Sequence, residues 1–214
     1  AFSKSSCFNA HVDADGNWAA TVPSADLAGL KDGDASVQVS VTNAHGNSAS
    51  AGREYSVDAT APGVTIDTVA GDNVINGSEA SAGVTVSGTT TAEAGQTVTV
   101  TLGGNSYTAQ VQPDGTWSVN VPSADLSALA DNGYTVQVSV SDTAGNPGSA
   151  NKAITLDTTP PTVSFNVVAG DDVINSVEHA QAQIVSGTST GANVGDKVVI
   201  TLGSNQYTTT VDAS

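Results

Sequence analysis

Val111-Gln-Pro-Asp-Gly-Thr-Trp-Ser-Val-Asn-Val-Pro-Ser-Ala-Asp-Leu126 joins an Asp-Gly turn to a strand that alternates apolar and polar residues. Asp-Gly flanked by such alternation is a strong short-range signal for a hairpin turn. Trp117, Val119 and Val121 fall on one face of the strand, Ser118 and Asn120 on the other. The stretch restates Val12-Asp-Ala-Asp-Gly-Asn-Trp-Ala-Ala-Thr-Val-Pro-Ser-Ala-Asp-Leu27 after 99 residues. The same offset relates Val136-Gln-Val-Ser-Val140 to Val37-Gln-Val-Ser-Val41, and Ala169-Gly-Asp-Asp-Val-Ile-Asn175 to Ala70-Gly-Asp-Asn-Val-Ile-Asn76. One residue is then inserted between Thr188 and Gly195, so Tyr207 answers Tyr107. Solenoid units run to roughly 20–50 residues; the longer period here fits a whole small domain.

Within one period the alternation marks about seven short strands. They are Val64–Ile66, Val84–Val86, Gln96–Leu102, Ser106–Val111, Trp117–Val121, Tyr134–Val140 and Lys152–Leu156. That number and spacing predict an all-β fold of tandem immunoglobulin-like sandwich domains joined end to end by very short linkers. Tyr134, Val136, Val138 and Val140 should face inward, opposite Trp117, Val119 and Val121. Trp18, Trp117, Tyr107 and Tyr207 are expected in packed strands, and Cys7, the single cysteine, in a buried one. Ser123–Leu129 departs from the strand pattern, and Leu126 and Leu129 suggest one helical turn under the sandwich end. The expected domains are a partial repeat over residues 1–58 (later strands), a complete one over 59–157, and a partial one over 158–214 (earlier strands). Half a sandwich cannot close a core. The chain is therefore either a piece of a longer array, or its ends complete each other head to tail between molecules. Leu156-Asp-Thr-Thr-Pro-Pro-Thr-Val163 makes the junction short and stiff.

There are 21 Asp plus Glu against 5 Lys plus Arg, a net charge of -16. Nucleic acid and anionic membranes are disfavoured partners for such a surface. No apolar run reaches the length of a membrane span, and no charged-then-apolar leader is present. One cysteine allows no internal disulfide. The acids recur at the same turns: Asp142-Thr-Ala-Gly-Asn146, Asp157, Gly170-Asp-Asp-Val-Ile-Asn175 and Glu178 are expected to meet at the downstream junction. Asp58, Asp72 and Glu79 match Asp157, Asp171 and Glu178 upstream, with Asn43 and Asn73 in place of Asp142 and Asp172. Hard oxygen donors in irregular array suit Ca²⁺ rather than Mg²⁺ or Zn²⁺. Fewer carboxylates predict a weaker upstream site. The alternative is that Asp and Asn recur there because they make good turns. For Asp15-Gly16 and Asp114-Gly115 the turn is explanation enough.

Leu156-Asp-Thr-Thr-Pro-Pro-Thr162, Val168-Ala-Gly-Asp-Asp-Val-Ile-Asn175, Ser141-Asp-Thr-Ala-Gly-Asn146 and Asp114-Gly-Thr-Trp-Ser-Val119 together resemble the bacterial immunoglobulin-like repeats of giant non-fimbrial and biofilm-associated adhesins of Gram-negative bacteria. The likeness runs from Val12 to Asp212; Ala1–Ala10 match poorly. It implies an extracellular protein anchored on the bacterial surface, exported by type I secretion, with adjacent repeats as partners and calcium stiffening the junctions. The ligands it implies are Asp142, Asp157, Asp171, Asp172 and Glu178, with Asp58, Asp72 and Glu79 upstream.

The function expected is a calcium-rigidified stalk segment of an adhesin. The rival is an Ig-like module that binds a surface glycan or a neighbouring adhesin. An enzyme is not expected: His11, His45 and His179 are answered by Gln110, Ala144 and Ala80, and no GxSxG, HExxH or phosphate loop occurs.

Overall fold

The computed structural model describes residues 10–213. Cys7 lies outside them. In chain order the elements are α1 (Ser24–Leu27), β1 (Gly33–Thr42), β2 (Ser48–Val57), β3 (Val74–Asn76), α2 (Gly77–Ala82), β4 (Val84–Thr89), β5 (Thr97–Leu102), β6 (Asn105–Gln110), β7 (Thr116–Val121), α3 (Ser123–Ser127), β8 (Asn132–Ser141), β9 (Pro147–Asp157), β10 (Thr162–Phe165), β11 (Gly187–Thr190), β12 (Lys197–Leu202) and β13 (Asn205–Thr210). A 3₁₀ turn spans Glu178–Ala180. The fold is all-β and Ig-like.

A five-stranded sheet runs β3-β9-β8-β5-β6, and β4 pairs with β7 in a second sheet. Alternation explains both. In β5, Val98, Val100 and Leu102 are at most 2% exposed, while Thr97, Thr99 and Thr101 point away. Val136, Val138 and Val140 of β8 and Trp117, Val119 and Val121 of β7 are likewise buried. These side chains, with Val86, Ile154 and Leu156, form the core, and removing their apolar surface from water is the main stabilising term. The segment before β3 reads as a strand in sequence, but its backbone meets the β4 stretch as a Val64–Thr90 bridge and the bonds Thr65 N–H to Thr89 C=O and Asp67 N–H to Ser87 C=O, both 2.8 Å. Side-chain bonds support them, from the Ser87 hydroxyl to Asp67 at 2.7 Å and from the Thr89 N–H to the Thr65 hydroxyl at 3.0 Å. The alternation did not reveal β3 or α2. β3 lies parallel to the end of β9, pairing Asn76 with Asp157, and Asn76 and Glu79 make a reciprocal capping box for α2. The helical turn predicted near Leu126 is α3; Leu126 is 1% exposed.

Gly88 of β4 shows how tightly the sheets are drawn. A Cβ there would stand 2.0 Å from the Thr65 carbonyl oxygen and 2.7 Å from the Trp117 ring. A glycine inside a strand often marks such a close approach. Gly88→Ala should destabilise the domain by about 2–3 kcal/mol, the upper part of the overpacking range, read as a lower denaturant midpoint. An unchanged midpoint would show that β4 can move aside.

Contacts divide the chain into two compact units. One comprises the chain up to Asp67, Thr85–Asn120 and Thr135–Lys152; the other comprises Thr68–Val84, Val121–Tyr134 and Ala153 onward. The flanking repeats depart from expectation in their burial. Trp18, expected in a packed strand, is 54% exposed, whereas Trp117 is 1% exposed. Val22, Leu27, Val37 and Val41 are exposed where Val121, Leu126, Val136 and Val140 are buried. Residues 10–58 form the β1–β2 hairpin and α1, with no facing sheet among their own strands. In β10–β13, Phe165, Leu202 and Tyr207 are also exposed. Hairpins form from local register; a core needs the second sheet.

Candidate functional site

The acids expected at the junctions fall into two groups that differ from the sequence-based grouping. Asp142 opens the turn between β8 and β9. Its carboxylate accepts the Asn146 backbone N–H at 2.8 Å and the Asn146 side-chain amide at 2.9 Å. The same amide reaches Asp58, at 3.2 Å to its carbonyl oxygen and 3.3 Å to Oδ1. Asp142 is thus gathered with Asp58, 84 residues earlier, rather than with Asp157. The reason is the antiparallel hairpin: Asp142 lies where β9 begins, and Asp157 is the last residue of that eleven-residue strand. At about 3.3 Å per residue, the two ends of β9 are some 30 Å apart. Asp142 is 8% exposed.

Glu93, which sequence reasoning missed, belongs to the same end. It accepts the Thr143 N–H at 3.0 Å and the Thr143 hydroxyl at 2.6 Å. The hydroxyl bond is the main cause that holds its carboxyl below the ordinary value, against desolvation and the like charge of Asp142. The Asn146 side chain does the same for Asp142.

The other acids are occupied locally. Asp72 and Asp171 accept the N–H of Val74 at 2.8 Å and Val173 at 3.0 Å. Glu79 and Glu178 accept the N–H of Asn76 and Asn175, both at 3.0 Å. Asp172 sits at φ 61 and accepts the Val168 N–H at 2.9 Å; Asn73, at φ 66, accepts the Val69 N–H at 3.1 Å. Asp and Asn tolerate this left-handed backbone better than other side chains. Because Asn73 makes the same bond, the negative charge of Asp172 is surplus to the turn. Asp72 precedes β3 and Glu79 lies in α2, and β3 pairs with the Asp157 end of β9. Asp157 itself accepts the Thr159 N–H at 3.4 Å.

These donors fit calcium in kind, being carboxylate, amide and carbonyl oxygens without His or Cys. Among the described residues, their arrangement brings Asp58 and Asp142 together on one amide, that of Asn146. Among the described residues no group of three His, Cys, Asp or Glu side chains is gathered closely enough to hold a metal.

The depressed carboxyls predict acid sensitivity. A folded pKa below the unfolded value contributes stability above about pH 4, lost as pH falls through the folded value. Thermal midpoints should therefore drop on acidification below about pH 4, and Glu93→Gln should flatten that dependence. A midpoint independent of pH between about 2 and 5 would contradict it.

A family model for the bacterial Ig-like domain matches residues 67–158. A solved segment of a 1.5-MDa bacterial ice-binding adhesin, described for host cell surface retention, is 35% identical over 93% of this chain and 70% of its own length, with a TM-score of 0.47. Residues 67–158 belong to the bacterial Ig-like domain family. A Ca²⁺-stabilised adhesin with which an Antarctic bacterium reaches out and binds ice is 39% identical over 94% of this chain and 51% of its own, TM-score 0.45. A tetra-tandem repeat in the extending region of a large adhesion protein is 30% identical over 95% of this chain and 50% of its own, TM-score 0.40. The Ig-like chain thus spans about half the length of the last two. Among curated proteins none matches.

Proposed function

We propose that this Ig-like chain is a structural stalk segment of a bacterial cell-surface adhesin, and that Ca²⁺ taken up at its repeat boundaries stiffens it. The sequence likeness to an adhesin's extending region and to a Ca²⁺-stabilised adhesin supports the reading. The observation that carries it is the Asp58–Asn146–Asp142 meeting, which joins the end of one repeat to the turn of the next. Two carboxylates held near one amide repel each other, and a divalent ion between them would turn that repulsion into attraction. Asp58 and Asp142 would hold the ion at this boundary. Asp157 would play the part of Asp58 at the next one; Asp72, Glu79, Asp171, Asp172 and Glu178 each have only one oxygen engaged in the local bonds above and are proposed as further ligands. Calcium is scarce in cytoplasm and plentiful outside, so uptake would couple stiffening to arrival at the cell surface.

Neighbouring repeats would cover the apolar residues that the flanking repeats expose. Head-to-tail pairing between molecules is the other cover, and concentration-dependent light scattering tells them apart.

Calcium titration followed by small-angle scattering tests the proposal. Uptake with a longer, stiffer particle supports it; no uptake and an unchanged shape overturn it. A glycan-binding module has one observation in its favour, an open groove lined by Ser87, Thr89, Thr97, Thr108, Gln110 and Thr116. Trp117 also borders that groove, but it is 1% exposed and offers no face for a sugar to stack on. The stalk reading is therefore preferred.

A further inference from the structure

Asp131 immediately precedes β8, and Thr158 and Thr159 immediately follow β9. Because β8 and β9 run side by side in opposite directions, the start of one lies beside the end of the other. Asp131 uses this neighbourhood fully. Its Oδ1 accepts the Thr158 N–H at 2.9 Å and the Thr158 hydroxyl at 2.8 Å, and its Oδ2 accepts the Thr159 hydroxyl at 2.6 Å. The arrangement recurs 99 residues earlier. Asp32 precedes β1, Gly33 pairs with Val57 at the end of β2, and Asp32 accepts the Ala59 N–H at 2.8 Å and the Thr60 hydroxyl. Alanine in place of Thr158 leaves the first copy one hydroxyl poorer.

We propose that Asp131 and Asp32 are ion-independent latches, each pinning the first two linker residues to the repeat that the chain is leaving. Three features support this. Both oxygens of each carboxylate are met by protein donors, and hydrogen bonds to an ionised acceptor are the stronger kind. Thr158 is confined from another side as well: a Cβ on Gly77 would stand 3.2 Å from the Thr158 carbonyl oxygen. Pro160 and Pro161 then follow with φ already restricted. The latch and the prolines leave four consecutive residues little freedom before any ion is bound. Both linkers should stay ordered at their exit when calcium is removed, with the second held by more bonds.

The purpose of the latch rests on the stalk reading, but its test does not. Amide hydrogen exchange of the full chain in excess chelator is the measurement. In the wild type, the Thr158 N–H should be protected without calcium. Asp131→Ala should speed its exchange about tenfold or more, the scale expected for a bond to a charged group. The Val136 and Val138 amides should stay unchanged, as should Ala59, which reports the intact first latch. If Asp131→Ala does not fold, Thr158→Val with Thr159→Val removes the hydroxyl donors and keeps the carboxylate. That pair should speed exchange at position 158 by less. Unprotected Thr158 in calcium-free wild type, or unchanged exchange in the variants, overturns the latch. Failure of calcium uptake would overturn the calcium clamp and leave this protection intact.

Discussion

Trp117→Ala lowers the thermal midpoint of the complete repeat by on the order of 10–30 °C, while Trp18→Ala shifts it by no more than about 2 °C. The two residues stand in nearly the same sequence, each straight after an Asp-Gly turn and at the head of an alternating strand. Trp117 is 1% exposed between two sheets, and Trp18 is 54% exposed. Truncating a buried tryptophan removes its transfer free energy and leaves a cavity, together about 3–5 kcal/mol. Truncating an exposed one changes little. Thermal unfolding of the two variants beside wild type measures the difference. Equal losses would mean that Trp18 is packed in solution, as it would be if another molecule or repeat covered the first hairpin. Repeating the comparison at several protein concentrations separates those cases.

Asp142→Ala weakens calcium uptake by at least about tenfold and removes the stiffening that calcium brings. Affinity at oxygen-donor sites follows the number of charged ligands and the rigidity with which they are held. Asp142 supplies one of the two acids gathered at the first boundary, and through Asn146 it also orients the amide that reaches Asp58. Asp114→Ala is the control: its carboxylate is engaged by Thr116 within its own turn, and uptake should not change. Isothermal calorimetry on the three proteins decides the matter. Equal uptake by Asp142→Ala and wild type would remove this end from the candidate ligands. Reduced uptake by Asp114→Ala would show that the loss is not specific to the boundary.

The site was only partly legible in the sequence. Recurrence at 99 residues drew attention to Asp58, Asp72, Asp157, Asp171 and the rest, yet it could not say which end of a repeat each one occupies. Duplication copies a turn-making aspartate as faithfully as a ligand. Asp172 and Glu178 turned out to serve their own loop and cap, bonds made over three or four residues. Asp142 turned out to meet Asp58, because an antiparallel hairpin carries its turn away from the last residue of its second strand. Glu93 went unnoticed because its counterpart is Asn193, so recurrence gave it no weight. Asp131 did carry a signal, since Asp32 precedes the matching strand, but the partners of both lie 27 and 28 residues onward.

Local pattern by itself determined most of the strands. Alternation of Val with Thr or Ser sets which face is apolar, and Asp-Gly turns set where the chain reverses, both through interactions between near neighbours. The period likewise established the repeat and the shortness of its linker. Tertiary structure alone decided which apolar faces are buried, that a three-residue β3 joins β9 in parallel, and which acids share an end. Each of these depends on residues far apart in the chain, whose meeting is settled by sheet pairing and by the second sheet that closes a core.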